Sequence, residues 1–247
     1  MTAKVIRLVR YPVKSVGRED IQSVDLIKGQ TMPWDRTWAV GHEQTKADNS
    51  QWSRCSNFLR VASSPKLAAI NAKFDETTQT LSLTHPERPD ISVQPEHAPE
   101  TLVEWLKPLV ADGRAAAAKI VRVPNRGMTD TDFPSVSLAN MASHRAVSQK
   151  IGSDLSLYRW RSNVWIEGLA PWEEFEWVGK TISIGGAVLK VIEPLARCTN
   201  ILANPETGHR DHDVLSTLET WGHQNFSMAA EVIQSGTISV DDTVVAE

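Results

Sequence analysis

The chain is poor in cysteine: its 247 residues hold two, Cys55 and Cys198. That is too few for a disulfide framework, and it points to a reducing, cytoplasmic location. Long apolar runs are missing too. No stretch approaches the roughly 18 uninterrupted apolar residues of a membrane span. Near the start, Arg7 and Arg10 interrupt the apolar run that begins at Val5, so no signal peptide is expected. Neither charge sign dominates. A net charge of -4 leaves no basic surface to displace phosphate counterions, which argues against nonspecific nucleic-acid binding. Repeats and low-complexity tracts are absent.

What is present is an ordinary globular balance, 41% hydrophobic and 23% charged, which predicts folding throughout. The nine tryptophans read as large apolar filler with an N–H handle. Short strand-like runs follow one another: Val5 to Val9, Ile21 to Ile27, Thr37 to Gly41, Leu67 to Phe74, Thr80 to Thr84 and Ile91 to Val93. Close spacing with turn residues between favours barrels or sandwiches over βαβ units. A helix is predicted over Pro99 to Val110, with Leu102, Val103, Leu106 and Leu109 on one stripe, and Asp112-Gly113 ends it. A domain boundary is placed there, giving units 1–112 and 113–247.

In the second unit, Lys119 to Val123 reads as a strand, and a second helix starts at Asn140, a good N-cap, and ends at Gly152. Further strands are expected at Asn163 to Glu167, Thr181 to Ile184, Val188 to Ile192, Phe226 to Ile233 and Thr237 to Val245. Gly185-Gly186 is a two-residue hairpin signal. The fold class is therefore mainly β with a few helices (α+β), arranged as two β-barrel-like units.

Gly179-Lys180-Thr181 looks like the end of a phosphate-binding loop, but Glu174 stands where that loop needs its first glycine and a strand follows. His209, Asp211, His212 and Asp213 read as a solvated polar loop, because structural zinc wants several Cys or His at paired short spacings. More distinctive is a set of cations beside turn and small polar residues at predicted strand ends: Lys14-Ser15, Arg36, Arg161 with Asn163, and Arg197-Cys198-Thr199. Strand ends on one rim of a barrel converge, which would suit a phosphate-bearing ligand; scattered surface charge is the plainer alternative. An adjacent arginine favours the thiolate form of Cys198. Cys55 also follows an arginine, so the dipeptide alone discriminates nothing.

Several segments, in order, resemble MOSC-domain proteins with an N-terminal β-barrel domain, the group that contains the mitochondrial amidoxime reducing component. They are Tyr11-Pro12-Val13-Lys14-Ser15, Asp35-Arg36-Thr37-Trp38, Arg159-Trp160-Arg161-Ser162-Asn163-Val164, Trp177 to Gly185, Arg197-Cys198-Thr199 and Pro205-Glu206-Thr207-Gly208. Ser162 departs from the proline usual in that group. The resemblance implies a molybdenum-pterin cofactor with Cys198 as the protein thiolate on the metal and the catalytic residue. It implies cofactor contacts from Lys14, Ser15, Arg36, Ser137, Arg161, Asn163, Arg197 and Thr199. Cys55 matches no ligand position and is read as structural.

The expected activity is reduction of N-hydroxylated compounds: hydroxylamines, amidoximes or N-hydroxylated bases. With no cysteine after Cys198 and no membrane anchor, the expected partner is an external electron-transfer protein of ferredoxin, flavodoxin or cytochrome type. Two rival readings are a noncatalytic carrier or sensor of the cofactor, and a sulfur-transfer module with a Cys198 persulfide.

Overall fold

The computed structural model describes residues 2–247 and is mainly β with three α-helices. Its strands are β1 (Lys4–Arg10), β2 (Glu19–Ile21), β3 (Ser23–Leu26), β4 (Ala39–His42), β5 (Asn71–Asp75), β6 (Thr80–His85), β7 (Arg88–Val93) and β8 (Ala117–Val121). After them come β9 (Val136–Asn140), β10 (Val164–Glu167), β11 (Thr181–Ile184), β12 (Ala187–Ala196), β13 (Asn225–Gln234), β14 (Gly236–Ser239) and β15 (Val244–Ala246). The helices are α1 (Pro99–Leu106), α2 (Met141–Ile151) and α3 (Val214–Glu219).

Eight strands form one sheet in the order β15-β11-β12-β13-β9-β10-β1-β2. It curls until β15 meets the start of β1: Val5 N–H donates to Asp242 O at 2.9 Å, and Val244 N–H donates to Ala3 O at 2.8 Å. Alternation along each strand then sends one set of side chains inward. Val5, Leu8, Leu138, Ile182, Leu189 and Met228 form that core. Outside it, Val147 of α2 and Leu218 of α3 cover Val9, Trp165 and Phe226 on the sheet's other face. A separate core, around Trp38, Phe74, Leu81, Leu102 and Trp105, joins β4 and β8, the three-stranded sheet β5-β6-β7 and α1.

Local signals hold where the chemistry is local. Asn140 accepts from Ala142 N–H at 2.8 Å to start α2, and Gly152, at φ 75°, ends it in the left-handed region. The Gly185-Gly186 turn joins β11 to β12 with Ile184 opposite Ala187. Three expected runs are broken. Pro65 opens a 3-10 turn over Pro65–Ala69, so only Asn71–Asp75 extends the predicted Leu67 to Phe74 strand. Ile21 to Ile27 divides, because β2 pairs with β1 while β3 pairs with β14. Thr237 to Val245 divides at Asp241, at φ 73°.

Strand β9 was not legible as a strand. All five of its residues are buried, and it lies parallel to β10 in the middle of the sheet. A strand covered on both faces loses the alternation that marks one in sequence.

Candidate functional site

A cavity of about 320 Å³ opens where several strand ends meet. Lys14 and Ser15 follow β1, Arg36 precedes β4, Ser137 lies on β9, Arg161 and Asn163 precede β10, and Arg197, Cys198 and Thr199 follow β12. All nine residues line this one cavity. The backbone ties their segments together: Lys14 N–H donates to Trp38 O at 2.8 Å, Arg36 N–H to Tyr11 O at 2.6 Å, and Met128 N–H to Arg36 O at 2.8 Å.

Ser15, Arg36 and Arg161 have φ of 63°, 51° and 52°, in the left-handed region that non-glycine residues seldom enter. Such strain persists where surrounding contacts fix it, and it clusters at ligand sites. Here it turns three polar side chains toward the same space.

Five basic side chains, Lys14, Arg36, Arg60, Arg161 and Arg197, line the cavity with one carboxylate, Asp130. Lys14 is buried and donates to Met128 O at 2.7 Å and Asp130 Oδ1 at 2.5 Å. Arg36 bonds the buried Asp35 carboxylate and donates to Arg161 O at 2.7 Å. Arg197 donates to Phe226 O and to Trp160 O, at 2.8 and 2.9 Å, and its side chain has no carboxylate partner among the described residues. Arg161 lies over the Tyr11 ring at 4.3 Å, and its buried Nη2 has no hydrogen-bond partner among the described residues.

The electrostatics follow from this crowding. Burial, then the charge of Arg36, lowers both Arg161 and Arg197 to a pKa of about 10, which leaves each cationic at neutral pH. Burial also lowers Lys14, with Asp130 opposing. For Arg36, burial acts downward, but Asp35, Tyr11 and Asp130 together outweigh it and raise the group. An anion placed here would relieve the mutual repulsion of these cations.

Asn163 lines the cavity, but both ends of its amide are engaged. Its Oδ1 accepts from Ser137 Oγ at 2.8 Å, and its Nδ2 donates to Val9 O at 3.1 Å and Asp35 Oδ1 at 3.0 Å. It therefore acts chiefly as a brace between strands. Cys198 is exposed, with its Sγ donating to Asn200 Oδ1 at 3.1 Å. Cys55, read from sequence as structural, is half-buried and lines the same cavity, where the 3-10 turn Cys55–Asn57 brings it.

Asp130 and Arg60 were not singled out from sequence, since neither adjoins a distinctive motif. Tyr11 and Asp35 lie inside quoted segments but carried no role of their own. In the polar loop, Asp211 accepts twice from the buried Arg159, at 3.1 and 3.0 Å, and Asp213 caps α3 through Ser216 N–H at 3.1 Å. No helix among the described residues is long and apolar enough to cross a membrane.

A curled β-sheet whose strand ends gather arginines, a lysine and a thiol around one cavity defines a barrel-like protein with a cationic site. The chain belongs to the MOSC-domain family: residues 2–123 match the MOSC N-terminal β-barrel domain and residues 126–245 the MOSC domain. It is 23% identical over 273 residues to a molybdenum cofactor sulfurase of Drosophila ananassae, covering 99% of this chain and 34% of that protein. The corresponding protein of Drosophila grimshawi is 25% identical over 237 residues, covering 87% and 30%. The chain thus spans about a third of the length of these curated relatives. The crystal structure of the YuaD protein from Bacillus subtilis has the same fold, with a TM-score of 0.51, 13% identity, and coverage of 99% of this chain and 94% of that one.

Proposed function

We propose that the cavity holds a molybdenum-pterin cofactor and that the protein uses it to reduce N-hydroxylated compounds. The observation that carries this reading is Arg161, whose buried Nη2 lacks a partner in a cavity lined by five basic residues and one acid. A phosphate would satisfy that donor and balance that charge. An exposed thiol in the same lining, Cys198, supplies the soft ligand that molybdenum favours. The donor set therefore fits the group.

In this reading Cys198 is the metal ligand and the catalytic residue. Lys14, Ser15, Arg36, Arg161, Arg197 and Thr199 hold the pterin and its phosphate, while Ser137 and Asn163 fix the strand ends that carry them. When bound, the cofactor would supply two-electron redox chemistry. The chain's share is binding, orientation and a cationic surround for the reacting oxygen. Overall, an N–OH group takes up two electrons and two protons and gives N–H and water. The two cysteines of these 247 residues fall short of the four that an iron–sulfur cluster uses, and the proposed electron donor is a partner of ferredoxin, flavodoxin or cytochrome type. Neither a nucleic acid nor a membrane is required, and the proposed compartment is the cytoplasm.

The exposure of Cys198 also favours a second reading, sulfur carriage as a Cys198 persulfide. One experiment separates them: measure molybdenum, pterin and labile sulfur per chain in wild type and Cys198→Ala made in cells that supply the cofactor. Reduction of an N-hydroxylated base with an artificial donor is then assayed. The reductase reading expects molybdenum and pterin in wild type, and turnover lost in the variant. A carrier would bind the cofactor without turnover, and a sulfur carrier would retain labile sulfur without molybdenum. Wild type devoid of molybdenum and pterin overturns the proposal.

A further inference from the structure

Among the described residues Asp130 is the one carboxylate in the cavity lining, and it faces the cations that a ligand would need. Its Oδ1 lies 2.5 Å from Lys14 Nζ, although its own side chain is 72% exposed. Its position among the cavity walls strips some water from it, but Lys14, Arg36 and Arg161 together outweigh that desolvation and hold it below the usual carboxylate range. It is therefore ionised whenever the protein is near neutral pH.

This placement is built. Trp52 Nε1–H donates to Thr129 O at 2.9 Å, Lys14 Nζ to Met128 O at 2.7 Å, and Arg126 Nη2 to Thr131 O at 3.0 Å. Thr131 Oγ1 is paired with Ser135 Oγ at 2.8 Å. These bonds fix the backbone on both sides of Asp130 and leave its side chain free to rotate away. Asp35, the other acid nearby, has no such freedom: it is 1% exposed and receives bonds from Tyr11 N–H, Asn163 Nδ2 and Arg36.

We propose that Asp130 is an internal anion that competes with the ligand's phosphate for Lys14 and so sets how tightly the cavity holds it. With no ligand, the carboxylate neutralises Lys14 and limits repulsion among the cations. An arriving phosphate takes that place, and Asp130 turns out to solvent. Because the competitor is tethered to the same chain, its local concentration is high and does not dilute. This inference rests on the anion-binding reading of the cavity and adds a residue that tunes it.

Inorganic phosphate binding to the purified 247-residue chain, measured by calorimetry at pH 7 and fixed ionic strength, tests it. Asp130→Asn keeps the shape and removes the charge, and Asp130→Ala serves as a second variant should the first misfold. Either should bind phosphate about fivefold more tightly than wild type. In a Lys14→Gln background the gain should vanish, which separates competition for Lys14 from a general change of charge. Unchanged or weaker binding by the Asp130 variants overturns the proposal, as does a gain that persists without Lys14. Arg161→Gln distinguishes the two levels. If it abolishes phosphate binding while Asp130→Asn matches wild type, the cavity reading stands and the role of Asp130 falls. If wild type and every variant fail to bind phosphate, both fall.

Discussion

The Tyr11 ring carries two arginines at once: Arg161 lies 4.3 Å and Arg36 4.9 Å from its centroid. The ring is wholly buried, and its hydroxyl donates to Ser162 O at 3.3 Å, so the aromatic ring is held in place against both cations. Cation–π attraction is worth about 0.5–2 kcal/mol per pair, more when water is excluded.

Tyr11→Phe should therefore keep phosphate affinity and lose no more than about 1 kcal/mol of stability, the value of one long hydrogen bond. Tyr11→Leu removes the π face and should lower phosphate affinity by about tenfold, with a stability loss of about 2 kcal/mol from the incomplete refilling of the core. Urea titration and calorimetry on both variants give these numbers. Wild-type affinity in Tyr11→Leu would show that the ring does not support the arginines.

Asn163 is the brace that a single atom change should break. Its Nδ2 donates to Asp35 Oδ1 at 3.0 Å, so Asn163→Asp would set two buried carboxylates against each other. The expected cost at pH 7 is about 3 kcal/mol, shrinking on acidification as one carboxyl takes a proton and again donates. Denaturation midpoints at pH 7 and pH 5 decide it. An equal deficit at both would refute the clash.

How much of this was readable beforehand depended on how local each determinant is. The caps of α2 sit in two residues, Asn140 and Gly152, whose backbone preferences act alone, so sequence suffices. Lys14, Arg36, Arg161 and Arg197 stand out because each adjoins a strand end and a turn residue. Strand β9, with five consecutive buried residues, carries no periodicity to read. Cys55 and Cys198 each follow an arginine, Arg54 and Arg197, and only the path of the chain brings both to one cavity. Asp130 has no sequence signature, since its meaning comes from Lys14, a partner distant in the chain.

That shared lining gives a direct chemical test. Cys198 is exposed and Cys55 half-buried, so iodoacetamide should label Cys198 first and Cys55 more slowly. An anion or cofactor seated in the cavity should protect both thiols together. Peptide mass mapping with and without saturating phosphate measures this, and protection of neither thiol would place the bound anion elsewhere.

Acid should destabilise the fold through one buried histidine. His144 is buried at 3% exposure, and its Nδ1 accepts from Trp160 Nε1–H at 2.9 Å, so the neutral tautomer carries its proton on Nε2. Burial lowers its pKa from 6.5 to about 4, with Asp154 opposing. The unfolded chain therefore binds a proton that the folded chain refuses between these two values. Stability from this group is unaffected above pH 6.5, falls as pH drops from 6.5 to about 4, and levels off below that. The full loss is about 3 kcal/mol. The consequence reaches the site, because the Trp160 ring stacks on Phe226 at 3.7 Å and the carbonyls of both residues accept from Arg197. His144→Asn keeps an acceptor for Trp160 and cannot titrate, so its unfolding free energy should be flatter than wild type across that window. Parallel pH profiles for the two proteins would mean that His144 takes no part in acid sensitivity.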